Sequence, residues 1–176
     1  MENTSWIKML IRKEEKDDFV TVYEILTMAF EGDGEARLVE KLREKASPII
    51  SLVAENEECA VVGHIMFSLV TIDGCEDANV MGLAPVSVTP EEQSKGYGAA
   101  LIKAGIQECR NLGMDGIVLL GHAGYYPRFG FQVSTEFDIT CEYDVPAENF
   151  MALELSNGSL DNISGKVNYH TVFNEL

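Results

Sequence analysis

Apolar residues recur at helical spacing between positions 19 and 30, where Phe19, Val22, Tyr23, Leu26 and Phe30 form one stripe and predict a helix with one buried face. Gly32 and Gly34 break it. Residues 35–45 then place Leu38 and Leu42 on one face among acids and bases, which predicts a short exposed helix. Shorter apolar runs read as strands over 7–12, 49–54, 59–70 and 79–88, separated by polar turns such as 55–58 and Asp73-Gly74. Pro85 lies inside the last of these. A proline has no N–H to give to a ladder, so a bulge or a splayed edge is expected there.

Beyond residue 98 the period returns to that of a helix. Ala99, Ile102, Gly105, Ile106, Cys109 and Leu112 make a stripe over 99–112 that ends at Gly113, a natural C-terminal cap. The apolar run 116–121 follows, and a strand placed after a crossover helix pairs parallel with the strand before it. Residues 123–128 read as one or two helical turns stopped by Gly130, and 131–139, 150–155 and 166–173 as closing strands. The fold class is therefore α/β in the α+β sense, a mixed and mostly antiparallel sheet flanked by helices. At 176 residues the chain reads as a single domain over 1–176, with 1–131 as its core and 132–176 as closing strands.

Charge changes the list of partners. Thirteen Lys+Arg against 29 Asp+Glu give a formal charge of −16, which repels nucleic acid and anionic membranes and attracts a cationic amine. Cys59, Cys75, Cys109 and Cys141 are far apart, with no C-x-x-C pair and no histidine at ligand spacing, so no metal site is indicated and free thiols in a reducing cytoplasm fit. The N-terminal stretch has only a short apolar run before charges begin, unlike a signal peptide or membrane span. A soluble cytoplasmic protein is expected.

The chemistry centres on the stretch Gln93, Ser94, Lys95, Gly96, Tyr97 and Gly98, between an apolar strand and a long helix. Glycines at such a junction let the backbone approach an anion, while the first N–H groups of the helix lack intrahelical partners and the helix dipole favours negative charge. This is a phosphate or pyrophosphate cradle, with Gln93, Ser94 and Lys95 side chains as further donors. No P-loop motif and no G-x-G-x-x-G accompanies it. The stretch resembles the acyl-CoA signature of the GNAT superfamily of N-acyltransferases, [QR]-x-x-G-x-[GA], matched by Gln93, Gly96 and Gly98. A second match lies downstream, where residues 125–131, YYPRFGF, resemble that superfamily's Y-x-x-x-G-F with Tyr126 in the tyrosine place.

The resemblance implies acetyl-CoA as co-substrate, no metal, and an amine-bearing acceptor. It implies that strand 79–88 parts from its neighbour and offers the backbone groups of Val86, Ser87 and Val88 to the pantetheine arm, with the N–H of Val88 or a neighbour meeting the developing oxyanion. Tyr126 is implied as the acid that protonates the departing thiolate, against the alternative of a packed tyrosine with a satisfied hydroxyl. The general base stays open: Glu31, Glu35 and Glu76 all lie at loops, and the acid that this family often carries on the strand before the cradle is missing. His122, between a strand end and the tyrosine, is a candidate base or substrate contact, whereas His64, in mid-strand, reads as structural. Arg128 is either a phosphate contact or a helix-end residue. The expected function is transfer of acetyl from acetyl-CoA to a primary amine in a ternary complex, with a non-catalytic acyl-CoA sensor as the rival. Closing strands often pair between subunits in folds of this kind, so the oligomeric state stays open, with a homodimer as one alternative.

Overall fold

The computed structural model describes residues 8–176, and Ile7 of the expected first strand lies outside them. Strand β1 (Leu10–Lys13) is followed by α1 (Phe19–Phe30) and α2 (Gly34–Lys45), then by the antiparallel run β2 (Ile49–Glu55), β3 (Val61–Ile72) and β4 (Val80–Val88). Helix α3 (Tyr97–Asn111) crosses to β5 (Gly116–Leu120), and β6 (Gln132–Val133), β7 (Ile139–Cys141), β8 (Phe150–Glu154) and β9 (Gly165–Asn168) close the chain. The main path runs β1-β2-β3-β4-β5-β8-β6, with β9 joining β3 and β7. Every pair on that path is antiparallel except β4 with β5. The mixed, mostly antiparallel sheet that the hydrophobic pattern predicts is thus present.

Two helical layers cover the sheet. Helix α3 lays Leu101, Ile102, Ile106 and Cys109 on Ile65, Phe67, Met81 and Ile117. Each such large aliphatic side chain contributes about 1.5–3 kcal/mol by leaving water. Approach is close because Gly105 faces Phe67: a Cβ there would stand 2.2 Å from Phe67 Cε2. On the other face α1 and α2 pack Val22, Leu26, Leu38, Val39 and Leu42 over Val53 and Met66. Helix α2 is therefore not the exposed helix expected, since Ala36 and Val39 join Leu38 and Leu42 in a fully buried stripe. Two apolar residues among charges had hidden a four-residue face.

Several boundaries differ from the sequence pattern for local reasons. Cys59 has φ +61°, so β3 begins only at Val61. The stretch 131–139 is not one strand, because a 3₁₀ turn at Ser134–Phe137 and Asp138 at φ +55° separate the two-residue β6 from β7. The last expected strand, 166–173, divides into β9 and a 3₁₀ turn at Thr171–Glu175. Asp18 stands at the N-cap of α1 without capping it, since its carboxylate is held by the Arg12 guanidinium at 2.7 and 2.9 Å. That pairing also holds the Asp18 carboxyl below its ordinary range.

Candidate active site

The β4–β5 pair carries the geometry that matters. Its parallel register is Val80↔Gly116, Met81↔Ile117 and Gly82↔Val118, and it stops there, although β4 runs on to Val88. The two strands part from Leu83 onward. On the other side of β4 the register with β3 shifts between Ile65 and Phe67, opposite Pro85, the bulge expected from a residue with no N–H to give.

Beyond the bulge, alternation decides which backbone groups are free. Thr89 N–H donates to Val62 O at 2.8 Å. The neighbouring pair Gly63↔Val88 is therefore the non-hydrogen-bonded kind, His64↔Ser87 the bonded kind, and Ile65↔Val86 again non-bonded. Val86 and Val88 point their N–H and C=O away from β3, toward the gap. Ser87 does not: its backbone groups belong to the β3 ladder and its hydroxyl is buried, so the expectation of three free residues is corrected to Val86 and, because Val88 O accepts from Gln93, the N–H of Val88.

At the head of α3, Gly96 occupies the N-cap with φ +95°, and no side chain caps the helix. The first helical bond is Ala100 N–H to Gly96 O, which leaves the N–H groups of Tyr97, Gly98 and Ala99 without intrahelical acceptors. Among the described residues, a Cβ at Gly96 would meet only Met9 Cε at 3.8 Å, and one at Gly98 only Val88 Cγ2 at 3.9 Å, so the backbone there is open to close approach. Helix α3 starts two residues earlier than its stripe suggested because Tyr97 points into the core, with 2% of its surface exposed. Only its backbone can meet a ligand. Two of the expected side-chain donors are engaged within the loop: Gln93 Nε2 donates to Val88 O at 3.1 Å, and Lys95 pairs with Glu92 at 3.2 Å. Ser94 adopts φ +62° and is exposed. These residues shape the turn, while uncapped amides supply the donors, a set suited to phosphate oxygens.

Where β4 and β5 part, a cleft of about 560 Å³ opens, lined by Val86, Tyr126, Glu35 and His122 among others. Four elements deliver these four residues. Glu35 comes from the first turn of α2, Val86 from β4, His122 from just beyond β5, and Tyr126 from the 3₁₀ turn Tyr126–Phe129. The Tyr126 ring lies against Gly121, where a Cβ would be 2.3 Å from Cε2, and is boxed by Tyr125, Phe129 and Phe131 at centroid distances of 5.1, 6.4 and 5.9 Å. Burial pushes its phenol above its ordinary pKa, so it is protonated at neutral pH. Glu31 and Glu76 do not line the cleft, nor does Val88. Arg128 donates from Nε to Tyr125 O at 2.8 Å and stacks on the Tyr125 ring, which assigns it to the turn rather than to a phosphate.

Sequence pattern alone did not reveal the far wall. Tyr143, Tyr169 and Phe173 reach the cleft from the closing segment, brought there by the pairing of β9 with β3 and β7. No motif marks them. Among the described residues no group of three or more His, Cys, Asp or Glu side chains is arranged to hold a metal ion, and no helix is long and apolar enough to cross a membrane.

Comparison with known proteins agrees with this fold. The family model for the Acetyltransferase (GNAT) domain matches residues 10–134. The uncharacterized N-acetyltransferase YhbS of Escherichia coli (strain K12) is 34% identical over 168 residues, covering 96% of this chain and 100% of the relative. Its solved structure, in complex with CoA, superposes with a TM-score of 0.90 at 31% identity over 99% of this chain and 96% of that one. A GNAT family acetyltransferase from Brucella melitensis, solved with acetyl-CoA, gives a TM-score of 0.77 at 37% identity over 94% of this chain and 98% of that one. The chain belongs to the GNAT family of acetyltransferases and is an acyltransferase dependent on acetyl-CoA.

Proposed function

We propose that the chain, as one acetyltransferase domain, moves acetyl from acetyl-CoA to a primary amine of a small molecule or peptide by direct attack in a ternary complex. The observation that carries this reading is the meeting of Val86, Tyr126, Glu35 and His122 in one cleft at the point where β4 leaves β5. When bound, the thioester supplies the acyl group and a thiolate as leaving group. The amides of Tyr97, Gly98 and Ala99 would hold its phosphates, and the main chain of Val86 and Val88 its pantetheine arm. A free N–H at Val86, inside the cleft, is better placed than that of Val88 to meet the acyl oxygen. Donors fixed in a strand need no reorganisation as charge develops, which makes them effective.

Tyr126 holds the proton that the thiolate requires. It lines the same cleft as the two candidate bases, and burial keeps the phenol neutral until it is used. Glu35 and His122 line that cleft, and either can take a proton from the bound ammonium to give the neutral amine that attacks the thioester carbonyl. Bringing amine and thioester together between these walls supplies much of the rate.

The test is thiol release from acetyl-CoA across a panel of amines, with CoA binding followed by calorimetry. Tyr126→Phe should lower kcat by about 10²–10⁴-fold, the usual worth of a positioned acid, and leave CoA affinity unchanged. Wild-type turnover in that variant would return Tyr126 to a packing role. CoA binding with no release from any amine would favour the sensor.

A further inference from the structure

The cleft has a composition that selects among amines. Five of its lining residues are aromatic, namely Phe30, Tyr126, Tyr143, Tyr169 and Phe173. The far wall is continuous: Tyr143 and Tyr169 lie 5.9 Å apart between ring centroids, and Tyr169 and Phe173 5.2 Å. Tyr169 is seated on bare backbone, since a Cβ on Gly82 would stand 2.7 Å from its Cε1. Leucines fill much of the rest. Against these apolar surfaces stand, among the described lining residues, the Glu35 carboxylate and His122 with no lysine or arginine, while the Glu142 carboxylate accepts from Tyr169 N–H at 3.1 Å beside the far wall.

On the proposed transfer to an amine, we infer that the acceptor is an arylalkyl monoamine, a primary amine on an aromatic body with no carboxylate and no second cation. The Glu35 carboxylate matches the ammonium, and the rings match a flat apolar body. The cleft volume of about 560 Å³ is that of a small-molecule site. An amino acid would bring its carboxylate toward Glu35 with no cation to receive it, and a buried unpaired charge is costly. A polyamine brings no flat apolar body to cover these rings, and its further ammonium groups would have to be desolvated against them. Burial chiefly, and then the neighbouring Glu142 carboxylate, raises the phenol of Tyr143 to about 12, and burial raises that of Tyr169, so both phenols stay protonated across the working pH range.

The matched pair 2-phenylethylamine and L-phenylalanine differs by one carboxylate, and spermidine supplies the polycation. Thiol release at saturating acetyl-CoA should give 2-phenylethylamine a kcat/KM about 100-fold or more above either of the others, the size expected for stranding a charge in an apolar site. Phe30→Ala removes a ring that is 40% exposed, so folding is spared, and it should raise KM for 2-phenylethylamine about 2–10-fold with KM for acetyl-CoA unchanged. Calorimetry of the same amines into the CoA-loaded protein separates two failures. Binding of 2-phenylethylamine without thiol release would sustain the ligand class and remove the transfer. Release with L-phenylalanine or spermidine at equal efficiency would sustain the transfer and overturn the ligand class. Absence of 2-phenylethylamine binding together with absence of release would overturn the class as well.

Discussion

Gly121→Ala tests whether Tyr126 acts by being held in place. The added Cβ would lie 2.3 Å from Tyr126 Cε2, 2.9 Å from Cδ2 and 3.2 Å from Leu119 Cδ1. Leu119 is fully buried and cannot retreat, and Phe131, 2% exposed, closes one side of the ring. The ring must therefore swing about 1 Å toward the cleft to restore an ordinary carbon–carbon separation near 3.5 Å. Overpacking of this kind costs about 1–3 kcal/mol of stability. A displacement of about 1 Å at a catalytic group costs on the order of 10²-fold in kcat. The cradle at the head of α3 is untouched, so CoA affinity should hold. Thiol release gives kcat, calorimetry gives the CoA dissociation constant, and urea unfolding gives stability. The decisive comparison is the double variant. If Gly121 matters only through the Tyr126 hydroxyl, Gly121→Ala in a Tyr126→Phe background should cost little more in kcat than Tyr126→Phe alone, because the group being misplaced is already gone. Additive losses, or wild-type kcat in Gly121→Ala, would refute the claim that this glycine serves the phenol.

Two further outcomes are expected. Gly96→Val should weaken CoA binding at least about tenfold, because φ +95° costs a β-branched residue more than about 1–2 kcal/mol and the turn must remodel; an unchanged dissociation constant would remove the cradle from the site. His64 is fully buried against Ser51 Oγ at 2.8 Å, with Arg43 nearby, and desolvation chiefly, then that charge, lowers its pKa to about 3. Its folded-state value lies below its unfolded value, so the neutral ring contributes stability that is present above the unfolded pKa and lost as pH falls from about 6.5 toward 3. The slope of about 1.4 kcal/mol per pH unit gives a loss of about 2 kcal/mol between pH 6.5 and 5. Urea unfolding at those two pH values, repeated with His64→Gln, checks this; a slope that survives the substitution assigns it elsewhere.

How far the site could be read from the chain depends on whether its parts are local. Gly96 and the uncapped head of α3 announce themselves, because a helix start and a positive φ are set by a few adjacent residues. Pro85 predicts a disturbed ladder for the same reason, and the bulge lies opposite it. The Gln93 side chain was expected to meet a ligand, whereas it holds Val88 O, since a residue type names a donor and not its acceptor. Ser87 was expected to share in the free backbone of β4. Its pairing depends on the register with His64, a residue 23 positions away whose alternation no local pattern carries. Helix α2 was misjudged as exposed, since short apolar residues such as Ala36 show a buried face only once α1 is laid against them.

By itself the sequence determined the order of the elements as far as β5, the mixed sheet, the glycine-headed start of α3 and the turn that carries Tyr126. These follow from hydrophobic period, turn chemistry and the φ that glycine and proline allow, all of which act over a few residues. Tertiary structure alone decided where β4 parts from β5, which strand residues keep free N–H groups, which of three glutamates reaches the cleft, and that Tyr143, Tyr169 and Phe173 wall it. Those are consequences of register and of packing between segments distant in the chain, and the burial that drives them rewards any apolar surface without naming its partner.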